Sequence, residues 1–351
     1  MSRRTRFAAA TATAAATLAA LVAAATAAPA APAAPAAGAA PAGATLAVLN
    51  YVALGDSYSA GAFVRPWTDD DGCGRSTQNY PQQAARRLKV RLTDVTCSGA
   101  EVRAGLLAPQ TDLTGPPSVP PENGWAPRPA QVRALAPTTD LVTLGVGGNS
   151  IGFTDVVTRC LEQGLLTFGL GRPCSAHYTG SQGAAALDRR FAELEADFAA
   201  ALKDIRARAP RAKVAVVGYP AVVDDNTGCA WGRWQQLGTI AKADMPWLDS
   251  LERRLNTMLR DQARRAGASY VDTYAGSAGH GVCASGEGRW MYGIKDTLTG
   301  GGTQSDPPSG LCRSIPARGE ACTVIHPNLR GVTHQAELVT QALIGLGAGR
   351  A

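Results

Sequence analysis

The residues able to do chemistry stand at four separated points: Ser57 in Gly55-Asp56-Ser57, Gly99 in Cys97-Ser98-Gly99, Asn149 in Gly148-Asn149, and His326 in Ile325-His326-Pro327. A serine hydroxyl becomes a nucleophile only with a base in hydrogen-bond reach, and the tetrahedral intermediate of acyl transfer needs donors aimed at its oxygen. Ser57 is set out for attack, because an apolar run over residues 46–54, interrupted by Asn50, stops at Gly55. Such a run reads as a buried strand that delivers the backbone to a sharp turn, with a helix beyond it whose free N–H groups point at the serine. A developing oxyanion would be stabilised there. Taken singly, each motif has an ordinary reading: the Gly-Asp-Ser triplet as a loop turn, Asn149 as a turn residue, His326 as a helix cap. Their joint placement at the ends of consecutive elements is what ordinary turns do not explain.

The elements that must position them alternate along the chain. Strands are expected over 46–54, 90–96, 140–146, 214–217 and 269–272, most of them ending in small residues. Helices are expected over 80–88, where Pro81 suits the first turn, over 184–209, over 246–266, and after His326 through about residue 344. In the second of these, Leu187, Phe191, Leu194, Phe198, Leu202 and Ile205 recur at three- and four-residue steps with charges between. Strand and helix in alternation predict an α/β fold whose parallel sheet of about five strands is covered on both faces, with ligands at the carboxyl ends of the strands. Residues 63–79, 109–129 and 276–322 read as loops, rich in Gly, Pro, Ser or Asp and without periodicity.

Residues 1–27 read as an export signal: Arg3, Arg4 and Arg6, then an apolar stretch from Phe7, then Ala25-Thr26-Ala27 as a small-residue cleavage site. The stretch is alanine-rich and runs into proline repeats, which argues against a stable membrane anchor. Residues 28–45 are an Ala/Pro-rich spacer, and 46–351 form one large domain. Without the first 45 residues the formal charge falls from +6 to +3, with basic residues scattered among acids, so no nucleic-acid partner is indicated. Eight cysteines, an even number in an exported chain, read as four disulfides. Zinc ligation is the rival, but there is no Cys-x-x-Cys pair.

Together the four motifs resemble the SGNH, or GDSL, hydrolase family, named for its Ser, Gly, Asn and His, and in particular its secreted actinomycete lipases and esterases. The resemblance spans residues 46–344. It implies a three-layer α/β/α, flavodoxin-like fold, no metal or organic cofactor, and a secreted, monomeric enzyme that cleaves acyl esters of small molecules or lipids. Ser57 would be the nucleophile, His326 the base, and the N–H groups of Ser57 and Gly99 with the Asn149 side chain the oxyanion hole. Phospholipase A and deacetylation of a sugar are the alternatives on the same site. A non-catalytic binding module is the different-class alternative, and it would need Ser57 or His326 to be missing. Sequential pairing, in which near neighbours close small loops, is expected: Cys73 with Cys97, Cys160 with Cys174, Cys229 with Cys283 and Cys312 with Cys322, of which the first three resemble the family's bridges.

Three points remain beside the resemblance. Gly148-Asn149-Ser150-Ile151-Gly152 also fits a nucleophile elbow, which would make Ser150 the nucleophile of an α/β-hydrolase with Asp272 available as the acid. Many family members carry an aspartate three residues before the histidine, where this chain has Thr323. The expectation is therefore a Ser57–His326 dyad supported by the Thr323 carbonyl, with Asp272 the alternative acid and Asp56 a structural hydrogen-bonder of the turn. His177 and His280 read as loop residues without an assignable partner, and His334 as a surface residue on the last helix.

Overall fold

The five expected strands pair in parallel: β1 (Asn50–Gly55), β2 (Arg91–Asp94), β3 (Leu141–Gly145), β4 (Lys213–Val217) and β5 (Ser269–Val271). The computed structural model describes residues 48–68, 71–113, 121–223, 229–298 and 321–348. All of these fall in one unit, Leu46–Ala351. The strand order is β2-β1-β3-β4-β5, the doubly wound order expected of a flavodoxin-like α/β fold.

Alternation along each central strand serves the two helical layers. Val52, Leu54, Val214 and Val216 pack into a core built with α5 (Ser181–Arg208) and α6 (Met245–Arg265), through Leu194, Phe198, Leu251 and Leu255. Tyr51, Ala53, Ala215 and Val217 face the other way, onto α2 (Tyr80–Leu88) and α8 (Leu329–Leu343), through Tyr80, Ala84, Ala336 and Val339. The six apolar residues that marked the long helix are all buried.

The differences from the sequence reading have local causes. Strand β1 begins only at Asn50, because its neighbours begin there: Asn50 pairs with Arg91 and Tyr51 with Leu141. Strand β5 ends at Val271, because the Asp272 side chain caps α7 (Thr273–Ser277), accepting from the N–H groups of Tyr274 and Ala275. The chain between β3 and α5 forms α3 (Phe153–Leu166) and α4 (Pro173–Thr179), two helices the periodicity reading did not pick out. In the stretch expected to be loop, β6 (Lys295–Asp296) pairs antiparallel with β7 (Ala321–Cys322).

Three disulfides join the expected pairs, Cys73–Cys97, Cys160–Cys174 and Cys229–Cys283. The fourth, Cys312 with Cys322, includes Cys312, which lies outside the described residues. The first holds the loop after Ser57 against the end of β2, where the Cys97 N–H also donates to the Gly55 carbonyl at 3.0 Å.

The upper end of β1 is fixed by a side chain. Gln131, buried, accepts from the Gly55 N–H at 2.8 Å and donates to the Gly55 carbonyl at 2.9 Å. Replacing the amide by a hydrocarbon of similar size leaves that N–H buried without an acceptor. Gln131→Leu is expected to destabilise the fold by about 1–3 kcal/mol, read as a lower urea midpoint at unchanged slope.

Candidate active site

Gly55 ends β1 where no other residue fits: a Cβ there would lie 2.2 Å from Ser59 Oγ and 2.6 Å from the Gly145 carbonyl oxygen. Asp56 follows as the cap of a one-turn helix, α1 (Ser57–Ala60), its carboxylate accepting from the Tyr58 N–H at 3.0 Å. Ser57 therefore opens a helix directly above the carboxyl end of the sheet. Among the described residues its N–H and that of Gly99 have no protein acceptor.

His326 arrives from the far end of the chain. Val324 and Ile325, just before it, have φ of 40° and 58°, a left-handed conformation that β-branched residues rarely take. Strain of this kind costs on the order of 1–3 kcal/mol per residue and persists only where the surroundings over-determine it. Here they do. The N–H groups of Thr323 and Val324 donate to the Ile294 carbonyl, that of Ile325 donates to Gly293, and the Ile325 carbonyl accepts from the Tyr58 hydroxyl at 2.5 Å. The result turns two carbonyls inward, so that His326 Nδ1 donates to Thr323 O at 2.7 Å, with Val324 O at 3.2 Å. With the proton fixed on Nδ1, Nε2 is bare and accepts from Ser57 Oγ at 2.7 Å. The tautomer follows from these partners.

The imidazole packs between Tyr58 and Phe63, with ring centroids 4.8 and 4.9 Å away. Burial pushes its pKa down to about 4, partly offset by the two carbonyls, which favour the charged form. It is thus neutral through the neutral range, with its Nε2 lone pair free to accept.

The other expected residues divide. The Asn149 amide donates to the Ala100 carbonyl at 2.9 Å, which ties the turn after β3 to the one that carries Gly99. Asn149 shares with Ser57 and His326 the wall of a mostly apolar cavity that also takes in Ile151, Phe153 and Leu255, with Glu252 among its polar groups. The cavity wall does not include Gly99. Ser150 faces elsewhere, its hydroxyl accepting from the Val102 N–H at 3.1 Å, so the nucleophile-elbow match is a fastening of the backbone. Asp272 is exposed and spends its carboxylate on α7, away from His326. The remaining histidines each make ring contacts, where the sequence reading had His177 and His280 without an assignable partner and His334 at the surface. His280 Nδ1 lies 2.7 Å from the Gly288 carbonyl and its ring stacks on Trp290 at 3.6 Å. His334 is half-buried against the same indole, and His177 lies within α4 with its ring edge-on to Tyr178.

Asp56 is the structural hydrogen-bonder expected, with a partner that sequence alone could not supply. Tyr219, just beyond β4, donates its hydroxyl to Asp56 Oδ2 and accepts from the Gly148 N–H at 2.8 Å. One phenol oxygen so links the serine turn to the asparagine turn. Burial pushes the Asp56 carboxyl up to about 7, with the hydrogen bonds from Tyr219, Tyr58 and Ser59 pulling it back.

The profile of the GDSL-like Lipase/Acylhydrolase family matches residues 53–333, a span that includes all four motifs. The chain belongs to that family. Lipase 2 of Streptomyces coelicolor is 39% identical over 249 residues, 69% of this chain and 76% of that protein. Two solved structures share the fold with a TM-score of 0.58: phospholipase A1 from Streptomyces albidoflavus, 24% identical, and an extracellular lipase from Streptomyces rimosus, 23% identical. Each match covers 84% of this chain and 100% of the other. The protein is a carboxylic-ester hydrolase of the lipase and esterase type. Among the described residues no helix is long and apolar enough to cross a membrane.

In this hydrolase the Tyr219 bridge is a stability statement as well as a geometric one. Tyr219→Phe strips the Gly148 N–H of its acceptor and Asp56 of a donor inside the fold, and is expected to cost about 1–3 kcal/mol. Thermal unfolding checks it; an unchanged midpoint would mean that the bridge carries no weight.

Proposed function

We propose that this chain is a secreted serine esterase or lipase in which Ser57 is the nucleophile and His326 the general base. The observation that carries the reading is the 2.7 Å contact between Ser57 Oγ and His326 Nε2, with Nδ1 held on the Thr323 carbonyl. As Oγ bonds to the acyl carbon, its proton passes to Nε2; the leaving alcohol takes that proton as the ester C–O bond breaks. Water then attacks the acyl-serine, giving its proton to Nε2, and the carboxylic acid leaves as Ser57 recovers its hydrogen. The Ser57 and Gly99 N–H groups and the Asn149 amide are the donors for the oxyanion, the Asn149 contribution being worth ~3–4 kcal/mol of barrier if typical. Acyl groups are placed in the cavity walled by Ile151, Phe153 and Leu255. Export rests on the charged, then apolar, opening of residues 1–27 and is in keeping with the disulfides. Residues 28–45 would be the spacer and 46–351 the catalytic domain, acting as a monomer.

Purified protein is expected to hydrolyse esters within a series running from acetyl to long acyl chains, with a phospholipid and an acetylated sugar included to place the preference. Hydrolysis of none of them would end the proposal. A fluorophosphonate probe should label the parent and Ser150→Ala but not Ser57→Ala.

The dyad has its own signature. Thr323 spends its hydroxyl on the Gly293 carbonyl at 2.8 Å, so Thr323→Val, which keeps the main-chain acceptor, is expected to hold kcat within a few-fold. Asp272→Asn should be equally mild, against the ~10⁴-fold loss that follows removal of a true triad aspartate. Because the base must be neutral, kcat/KM should persist as the pH falls below the ordinary imidazole value and decline only as it passes about 4. An acid limb near 6.5 would show that His326 titrates as a solvated ring.

A further inference from the structure

The end of α3 and the turn after it carry the largest exposed apolar side chains of the described surface. Leu166, Phe168 and Leu170 are 72%, 75% and 73% exposed, so they protrude rather than line a groove. Leu165 and Trp231 join them at 55% and 43%. Trp231 lies directly over the turn: a Cβ on Gly169 would come within 2.4 Å of its ring. The crest is rigidly founded. The Trp231 indole N–H donates to the Thr239 carbonyl at 3.0 Å, the Thr239 hydroxyl donates to the Leu161 carbonyl at 2.6 Å, and Cys160–Cys174 ties α3 to α4 beneath it. Single exposed leucines are ordinary, but a contiguous set of this size marks a contact surface.

The charges around it select the partner. Arg172 follows Leu170 by two residues, Arg233 follows Trp231 by two, and Lys242 adjoins Ala241, whose N–H abuts Gly164 in the last turns of α3. All three are exposed and none makes an ion pair among the described residues; Glu162 is the acid nearest in sequence to the crest. Protruding leucine and phenylalanine, an indole with its N–H engaged, and a cationic rim are the composition that settles at the boundary between hydrocarbon and anionic headgroups. The crest is joined to the cavity beside Ser57 through α3. Helix α3 starts with Phe153 and Thr154 in the wall of the cavity beside Ser57 and reaches Leu166 about 20 Å away at 1.5 Å per residue. The segment bearing Trp231 leaves the carboxyl end of β4, the same end of the sheet from which Ser57 is displayed.

We propose that Leu165, Leu166, Phe168, Leu170 and Trp231, rimmed by Arg172, Arg233 and Lys242, dock the enzyme on the surface of an anionic lipid aggregate, holding the mouth of the Ser57 cavity close to that surface. This is a binding function separate from the chemistry, and it needs no lid.

Cosedimentation with vesicles of phosphatidylcholine, with and without phosphatidylglycerol, tests it in a Ser57→Ala background that cannot consume the lipid. The parent background should bind the anionic vesicles, and Leu166→Ser/Phe168→Ser/Leu170→Ser should lower the partition coefficient about tenfold or more, since the inserted apolar area sets the affinity. Arg172→Glu/Arg233→Glu should remove the preference for phosphatidylglycerol and most of the salt dependence. With Ser57 restored, both variants should keep the parent's kcat/KM on a water-soluble ester and lose rate only on ester presented in vesicles. No binding by the parent background, or equal binding by the triple variant, would overturn the proposal. So would a dimer of the parent that the triple variant dissociates without any change in vesicle binding, which would assign the crest to a second copy. Failure of the parent on every soluble ester would instead strike the catalytic reading and leave the vesicle result standing.

Discussion

A hydroxyl and an imidazole 269 positions apart can hold a 2.7 Å hydrogen bond only if both pieces of backbone that carry them are held still. The serine side is held by the sheet. Gly55 is pinned between Gln131 and β3, the Asp56 N–H donates to the Gly145 carbonyl, and the Ser59 hydroxyl donates to the same carbonyl at 3.0 Å. The histidine side has no strand of the main sheet to lean on. It is held by ladder-like bonds to residues 290–294 and by the Tyr58 hydroxyl, which reaches across from the residue next to the serine. Tyr58 thus joins the two sides directly. The left-handed backbone at Val324 and Ile325 is tolerated because these contacts leave no relaxed alternative that keeps the ring in place.

What stands behind the imidazole is a neutral acceptor. A carboxylate at Nδ1 both selects the tautomer and stabilises the imidazolium; a main-chain carbonyl does the first fully and the second only through its dipole. The low pKa of His326 follows from the same arrangement, since burial disfavours the charged ring and no anion is bonded to it. The position three residues before the histidine can then hold Thr323, whose side chain is free to fasten the Gly293 carbonyl. The strained turn substitutes geometry for charge.

The parts of this site legible in the sequence are those that repeat or that punctuate. Strands buried on both faces appear as apolar runs, and the long helix α5 as a periodic stripe, because burial acts on every residue of the element. Ser57 and Asn149 could be placed because each sits just beyond the end of a strand, and His326 because it stands just before a helix. Gln131 and Tyr219 left no such trace. Each acts through one side chain on a backbone group more than seventy positions away, with nothing in its own neighbourhood to announce the contact. Helix α3 was missed for a related reason. Its exposed end carries Leu165 and Leu166, so the apolar stripe does not stay on one face. The stretch around Trp290 looked shapeless because its order comes from pairing with the histidine turn and from rings stacked on each other.

Two titratable groups with shifted pKa lie within this arrangement, and their linkages to stability run in opposite directions. His326 is lowered from 6.5 to about 4, so between those values the unfolded chain binds more protons and stability rises with pH. Asp56 is raised from 3.8 to about 7, so between those values the folded chain binds more protons and stability falls as pH rises. The windows overlap from about 4 to 6.5, where the two slopes oppose each other and the net dependence flattens. Above that range only the Asp56 slope remains, and it ends once the carboxyl has ionised in both states. The hydrogen bonds from Tyr219 and Tyr58 that restrain the Asp56 shift are the ones that link the serine turn to its neighbours. The same bonds therefore position Ser57 and limit the cost of keeping a carboxylate buried beside it.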